Sequence, residues 1–203
     1  MEMNKRQVQT RLRLQAAEYD CVPTTFLNAL CYLFEPKELP PLVVQRVFLY
    51  CLDSISCGQS LGQGTSGLAI QLLGKWLGEF KEGKFHVKST YLKGKDVHLQ
   101  ENNPIARTLN AGGVALIRVR TPGKSWHFVL GLKVDADWLY AFDPYPWRSP
   151  KTTDDYQFTV PTEDRPENLK IRRTWLEIQS NQKPYRFGSI VEREVLLLER
   201  VSP

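Results

Sequence analysis

Apolar side chains recur at helical spacing through much of residues 21–80. Asp20 is a suitable N-cap residue and Cys21 follows it directly, so the apolar stripe behind them predicts a helix that begins at Cys21. Pro41 begins a second apolar helix that reaches about residue 52, and Thr65-Ser66 caps a third. The stripes of the first and third helices consist of Phe26, Leu30, Leu33 and Phe34, and of Leu68, Leu72, Leu73, Trp76, Leu77 and Phe80.

Alternation of apolar and polar side chains predicts β-strands on both sides of these helices. Residues 8–14 alternate in this way and deliver the chain to Gln15. A short helix among the later strands is capped by Asn103 and ends at Gly112 and Gly113. The later strands are expected at residues 85–91, 114–120, 127–134, 138–143, 156–160, 171–178 and 190–199. Helices first and antiparallel strands afterwards indicate an α+β fold.

Length and composition are those of an ordinary globular protein. The chain has 203 residues, of which 42% are hydrophobic and 24% are charged, so there is enough apolar material for a sizeable core. We therefore expect one domain over residues 1–203, although the length alone also allows two very small ones. The sequence shows neither a secretion signal nor an apolar run long enough to cross a bilayer, so we expect a cytoplasmic protein with reduced cysteines and no membrane contact.

Charge and motif spacing exclude several classes of function. Basic residues outnumber acidic ones by 27 to 22, which gives a formal net charge of +5. Because they are dispersed, they predict a solvated basic surface, and nucleic-acid binding is not expected. Cys51 and Cys57 have no histidine pair beside them, which argues against a metal site. The glycines of residues 58–64 lack the lysine of a phosphate-binding loop. We expect neither a metal nor a cofactor.

The predicted position of Cys21 at a helix start suits a nucleophile. A helix N-terminus and a nearby imidazolium both favour the thiolate form of a cysteine. The alternative is a small buried hydrophobic residue, and for Cys21 taken alone both interpretations stay open. The buried interpretation is preferred for Cys31, which lies on the apolar side of the same helix, and for Cys51.

His127 begins the first strand of a predicted hairpin and Asp143 ends the second, so both lie at its open end. The loop of residues 135–137 joins the two strands. With that three-residue loop the two side chains are diagonal neighbours on one face of the sheet, whereas a loop of two or four residues puts them on opposite faces. Each residue taken alone has a simple structural explanation. Together with Cys21 they form a nucleophile, a base and a carboxylate that fixes the tautomer of the base.

The segment from Gln15 to Thr25 resembles the opening motif of the bacteriocin-leader (double-glycine) peptidase family, a branch of the papain-like cysteine protease superfamily. In that motif a Gln lies six positions before the catalytic Cys, as Gln15 does before Cys21. The segment Gly64-Thr65-Ser66-Gly67 before a helix, the start of the strand at His127 and its neighbour's end at Asp143-Pro144 follow in the order of the family. The resemblance covers about residues 8–147, and residues 148–203 add further strands and loops.

The resemblance implies a papain-like fold and a cysteine peptidase or related thiol hydrolase, acting on a peptide or isopeptide bond of a peptide or protein substrate. It implies Cys21 as nucleophile, His127 as general base, Asp143 as the group that orients the base, and Gln15 as oxyanion donor. Val22 departs from the family, which has Gly after the Cys, and this requires ordinary backbone dihedrals at that position. Two alternatives stay open: acyl transfer to an amine, as in transglutaminase-like members, and a peptide-binding module without catalysis.

Overall fold

The computed structural model describes residues 11–51, 53, 64–100, 103–121, 126–180 and 182–201. Within these ranges the α-helices are α1 (Cys21–Leu33), α2 (Pro41–Tyr50), α3 (Gly67–Glu79), α4 (Pro104–Asn110) and α5 (Arg173–Glu177). Short turns of 3-10 helix occur at Pro36–Glu38, Gly94–Asp96 and Ile190–Glu192. The longest helices therefore precede the sheet, as the apolar stripes predict.

The strands pair into one antiparallel sheet. They are β1 (Lys81–Glu82), β2 (Phe85–Lys93), β3 (Val114–Arg120), β4 (Trp126–Val134), β5 (Trp138–Phe142), β6 (Tyr156–Phe158), β7 (Leu169–Arg172) and β8 (Glu194–Arg200). Their order across the sheet is β1-β2-β8-β3-β4-β5-β7-β6. The predicted α+β fold is confirmed. Strands β6 to β8 come from residues after 148, so the C-terminal part of the chain completes the sheet on which the site residues lie.

Two of the predicted helix starts carry side-chain caps. The Ser66 hydroxyl accepts a hydrogen bond from the Ala69 N–H at 3.1 Å, and Asn103 Oδ1 accepts one from the Ile105 N–H at 2.7 Å. These bonds satisfy N–H groups that have no partner inside the helix. Asp20 occupies the N-cap position of α1 without a side-chain cap, and its carboxylate accepts from the N–H of Ala17 instead.

Apolar side chains cover both faces of the central strands. On one face, alternate residues of β3, β4 and β8 pack against α1 to α3, where Phe26 and Leu30 are fully buried. On the other face, the residues in between pack against α4, Leu176 and Phe187. Since burial of one such Leu or Phe stabilises the fold by about 1.5–3 kcal/mol, the two clusters hold the strands that carry the site.

The hairpin of β4 and β5 contains a change of register. Leu130 pairs with Phe142 and Gly131 with Ala141, which is the pairing predicted for the two residues His127 and Asp143 to share a face. Nearer the turn, Lys133 pairs with Tyr140 and Val134 with Leu139, so the register shifts by one residue between Gly131 and Lys133. The predicted three-residue loop register is therefore wrong at the turn. A β-bulge restores it before the strands reach the site.

Other predicted elements differ from the structure. The strand expected at residues 8–14 lies partly outside the described residues, and residues 11–14 are not in a strand. The strand expected at 171–178 is the short β7 followed by helix α5, because Arg173 begins a turn closed by the Ile178 N–H on the Trp175 carbonyl. The strand expected from residue 190 begins at Glu194, after a 3-10 turn.

Candidate active site

Cys21 is the first residue of α1. Its side chain is partly buried, and Val22 behind it has helical backbone and a buried side chain. The Thr25 hydroxyl lies 2.6 Å from the carbonyl oxygen of Cys21 and 3.3 Å from that of Phe128, the residue after His127. One side chain thus links the first turn of the helix to the strand that carries the imidazole.

His127 and Asp143 are in direct contact. Nε2 of His127 lies 2.6 Å from Oδ1 of Asp143, and both side chains are buried, with 4% and 0% of their surface exposed. The side chain of Cys21 is also hydrogen-bonded to the imidazole of His127, which raises the pKa of the imidazole. Since Asp143 occupies Nε2, the other ring nitrogen, Nδ1, is left for the thiol. The structure therefore brings Cys21, His127 and Asp143 together in the predicted order of contacts.

The pair of His127 and Asp143 favours the ionised form of both groups. Burial lowers the pKa of His127, but the charge and hydrogen bond of Asp143, with smaller contributions from Cys21, outweigh it and raise the pKa to about 10. Burial raises the pKa of Asp143, yet the charge and hydrogen bond of His127 hold it below its ordinary value. A buried charge is tolerated when it is paired and hydrogen-bonded, which applies to both members of this pair.

The Asp143 carboxylate accepts hydrogen bonds at both oxygens. Oδ1 accepts from His127 and, at 2.9 Å, from the N–H of Tyr145, while Oδ2 accepts from Trp147 Nε1 at 2.9 Å and from the Tyr185 hydroxyl at 2.6 Å. The Asn168 side chain holds the backbone of Asp143, accepting from its N–H at 2.7 Å and donating to its carbonyl at 2.8 Å. Each oxygen of this buried carboxylate thus accepts two hydrogen bonds, as a buried charged group requires.

Three of these supporting residues were missed by the sequence analysis. Trp147 and Asn168 lie in or beside the Pro-rich segment after Asp143, and Tyr185 lies in the C-terminal part beyond the family resemblance. The sequence carried one signal for Trp147, because a Trp four residues after a strand-end Asp is an indole donor within reach of its carboxylate. Nothing in the sequence pattern connects Tyr185 to Asp143, 42 residues earlier.

Gln15 lies beside the triad, although its amide is engaged. Its backbone N–H donates to the carbonyl of Pro144 at 2.7 Å, which ties it to the residue after Asp143. Its side-chain Nε2 donates to the carbonyls of Ala17 and Glu18 at 2.8 and 3.2 Å, and Oε1 is buried without a partner among the described residues. An oxyanion role for Gln15 therefore requires one N–H to leave these carbonyls when a substrate binds, and the role stays a prediction.

A cleft of about 430 Å³ opens at Cys21. Its walls include Gly64-Thr65-Ser66-Gly67, the segment singled out in the sequence, together with Trp126 and Phe128 of β4. An ion pair of Arg118 and Glu194, 3.2 Å apart, lies along the cleft. Gly67 allows this arrangement, because a Cβ there would lie 2.6 Å from a carboxylate oxygen of Glu194. The cleft gives a substrate carbonyl access to the thiol.

The other described cysteines are less suited to attack. Cys51 is buried, as predicted, and burial raises its pKa to about 12. Cys31 is only partly buried, so the prediction that it is buried is wrong. Desolvation nevertheless raises the pKa of its thiol. Cys57 and most of residues 58–64 lie outside the described residues. Of the three described cysteines, Cys21 is the one that interacts with the His127 imidazole.

The chain matches no protein-family model, and no curated protein matches it. Over the described ranges, no group of three or more His, Cys, Asp and Glu side chains is placed to hold a metal ion. None of the described helices combines the length and the apolar character needed to span a membrane. Function is therefore inferred from the geometry around Cys21.

Proposed function

We propose that this protein is a papain-like cysteine hydrolase that cleaves a peptide or isopeptide bond. The observation that carries the proposal is the buried contact of His127 Nε2 with Asp143 Oδ1, 2.6 Å apart, with Cys21 at a helix N-terminus beside the same imidazole. A thiol, an imidazole and a carboxylate in this order are the groups that nucleophilic acyl transfer needs.

The first half of the reaction forms a thioester. The Cys21 thiol gives its proton to Nδ1 of His127, and the resulting thiolate attacks the substrate carbonyl carbon. The C–N bond of the tetrahedral intermediate then breaks. The imidazolium of His127 gives its Nδ1 proton to the leaving amine, and Asp143 keeps the ring oriented throughout. The raised pKa of His127 supports this step, because the ring stays protonated at neutral pH until the C–N bond breaks.

The second half returns the enzyme to its starting state. The neutral imidazole takes a proton from water, the hydroxide oxygen adds to the thioester carbonyl, and the C–S bond breaks to release the carboxylic acid. The developing negative oxygen needs donors, and the N–H of Cys21 at the start of α1 is one, since the first N–H groups of a helix have no partner inside it. Gln15 is the proposed second donor, after its amide turns from Ala17 and Glu18.

The proposal is tested with peptides rather than with one assumed substrate. We would incubate the protein and its Cys21→Ala variant with a mixture of peptides and identify cleavage products by mass spectrometry, with Cys31→Ala as the matched control. Products that require Cys21 and persist in Cys31→Ala support hydrolysis. An added amine that appears in the products would instead indicate transfer. Peptide binding without any Cys21-dependent product would overturn the proposal in favour of a binding module.

A further inference from the structure

Tyr185 has an unusual backbone for an aromatic residue. Its φ is 55°, and among the described residues it is the one non-glycine residue with positive φ. A bulky side chain in the left-handed region is strained, and such residues persist where the surrounding structure holds them. The strain at Tyr185 therefore calls for a compensating contact.

Hydrogen bonds on both sides fix the segment that carries Tyr185. Its N–H donates to the carbonyl of Arg120 at the end of β3, at 2.8 Å, and the Arg120 N–H donates to the carbonyl of Arg186 at 3.0 Å. The neighbouring residues are held by α5, through Trp175 Nε1 to the Pro184 carbonyl at 2.9 Å and the Phe187 N–H to the Leu176 carbonyl at 3.0 Å. The ring direction of Tyr185 is thus determined by two separate elements.

The side chain of Tyr185 reaches the carboxylate of the triad. Its hydroxyl donates to Asp143 Oδ2 at 2.6 Å, and only 2% of the residue is exposed. Burial and the charge of Asp143 raise the pKa of Tyr185 well above its ordinary value, so the hydroxyl keeps the proton that it donates. A hydrogen bond to a buried charged group is stronger than one between neutral groups.

Packing alone does not explain the hydroxyl. Tyr185 lies in an aromatic cluster with Tyr156 and Phe158, at centroid distances of 5.0 and 5.9 Å. A phenylalanine would make the same ring contacts. The hydroxyl adds a hydrogen bond to Oδ2, the oxygen of Asp143 that does not contact His127, and it also interacts with the Trp147 side chain. In an exposed carboxylate, water would take the place of this hydroxyl.

We propose that Tyr185 is a positioning residue of the active site, which keeps Asp143 ionised and turned so that Oδ1 faces His127. This inference rests on the proposed function, because it assigns a role within the same triad. Trp147 donates to the same Oδ2 and shares the task, whereas the bond of Tyr145 to Oδ1 comes from its backbone. The C-terminal segment is on this view part of the catalytic apparatus, not an appendage to it.

The test is Tyr185→Phe, which removes one oxygen atom, with Tyr156→Phe as the matched control in the same cluster. The first readout is the pH dependence of alkylation of Cys21 by iodoacetamide, which needs the thiolate. Without the hydroxyl, Asp143 takes up a proton at higher pH and stops supporting the imidazolium. We expect the acidic limb of the alkylation profile to move to higher pH in Tyr185→Phe, with a rate on that limb up to about tenfold lower for the loss of one bond to a charged group, and to stay in place in Tyr156→Phe.

A second readout is the proton NMR resonance of the His127 Nε2 proton, assigned by its loss in His127→Gln. It should shift or broaden in Tyr185→Phe and match wild type in Tyr156→Phe. In an Asp143→Ala background, the Tyr185→Phe change should have no further effect on alkylation, because the residue acts through Asp143. A folded Tyr185→Phe protein with the wild-type alkylation profile and the wild-type resonance would overturn the inference.

If Tyr185→Phe does not fold, 3-fluorotyrosine at position 185 keeps the ring and provides a stronger donor. The acidic limb of the alkylation profile should then move to lower pH, and an unchanged profile would count against the role of Tyr185. Neither readout needs a substrate to be cleaved. Failed cleavage with a shifted alkylation profile would therefore refute the proposed function alone, and normal cleavage with a silent Tyr185→Phe would refute this inference alone.

Discussion

His127 and Asp143 meet at 2.6 Å because the hairpin that carries them changes register between Gly131 and Lys133. Without the bulge, the pairing found next to the turn would continue and the two side chains would point to opposite faces of the sheet. The contact has a thermodynamic consequence, since it displaces the pKa values of both groups in opposite directions.

The stability that His127 gains from Asp143 depends on pH. The folded-state pKa of His127, about 10, lies above its ordinary 6.5, so this contribution is complete below pH 6.5 and is lost as the pH rises through about 10. The folded-state pKa of Asp143 lies below its ordinary 3.8, so its contribution is present above pH 3.8 and is lost at lower pH. We expect the difference in unfolding free energy between wild type and His127→Gln to be largest from pH 3.8 to 6.5.

Denaturant unfolding measured from pH 4 to pH 10 checks this expectation. His86→Gln, on the partly exposed side of β2, is the control and should follow the wild-type curve. A wild-type advantage over His127→Gln that stays constant up to pH 10 would show that His127 is neutral in the folded protein, and the ion pair with Asp143 would have to be abandoned.

Cys21 should be the first of the described cysteines to react. Desolvation raises the pKa of Cys31, and it raises that of Cys51 to about 12, so few of their thiols are ionised at neutral pH. Brief treatment with substoichiometric iodoacetamide at pH 7, followed by peptide mapping, should place the label on Cys21. His127→Ala should slow this labelling while leaving the slow labelling of Cys31 unchanged. Faster labelling of Cys31, Cys51 or Cys57 than of Cys21 would remove the nucleophile from the site.

Asp143→Asn separates the orienting role of Asp143 from its charge. An amide oxygen in place of Oδ1 still accepts the Nε2–H of His127, so Asp143→Asn should keep more activity than Asp143→Ala. The amide NH₂ in place of Oδ2 opposes the N–H of Trp147, however, and a buried donor without an acceptor costs about 1–3 kcal/mol. We therefore expect Asp143→Asn to lower the unfolding free energy by that amount.

Trp147→Phe removes the opposed donor and identifies the cause. The double variant Asp143→Asn with Trp147→Phe should lose less stability than the two single changes predict together, since the donor conflict is absent. Additive losses would mean that Trp147 does not donate to Asp143. Activity equal to wild type in both Asp143→Asn and Asp143→Ala would take Asp143 out of the mechanism.

The elements that carry the triad could be predicted because their signals are local. The apolar stripe after Cys21, the cap at Ser66 and the alternation in β3 and β4 each depend on a few neighbouring residues. The predicted strand at residues 114–120 coincides with β3, and helix α3 begins at the residue after its predicted cap. Hydrophobic periodicity determines which residues face the core, and tertiary packing then follows it.

The support of Asp143 could not be predicted, because it depends on contacts between distant segments. Tyr185 reaches Asp143 only after β7, α5 and the end of β3 have fixed its backbone in a conformation that no local rule favours. The bulge in the hairpin was missed for a similar reason. Alternation in β4 is interrupted by the apolar run of residues 128–132, so the pattern alone does not reveal where a residue is inserted.

The position of Gln15 allows two separate roles. Its Nε2 holds the turn before Cys21 through the carbonyls of Ala17 and Glu18, and the same amide is the proposed oxyanion donor. Gln15→Ala tests both. Loss of one oxyanion donor should lower kcat by about 10² to 10³, roughly 2.7 to 4 kcal/mol, with little change in KM. Gln71→Ala, on the exposed side of α3, is the control for loss of a glutamine side chain.

Alkylation of Cys21 in Gln15→Ala distinguishes the two roles. Attack on iodoacetamide forms no oxyanion, so an oxyanion donor can be removed without changing the alkylation rate. If Gln15 mainly holds the turn, its loss displaces the start of α1, and the alkylation rate should fall together with kcat. A fall of kcat alone would assign Gln15 to the oxyanion, a parallel fall would assign it to the turn, and a normal kcat in an assay where Cys21→Ala is inactive would exclude the oxyanion role.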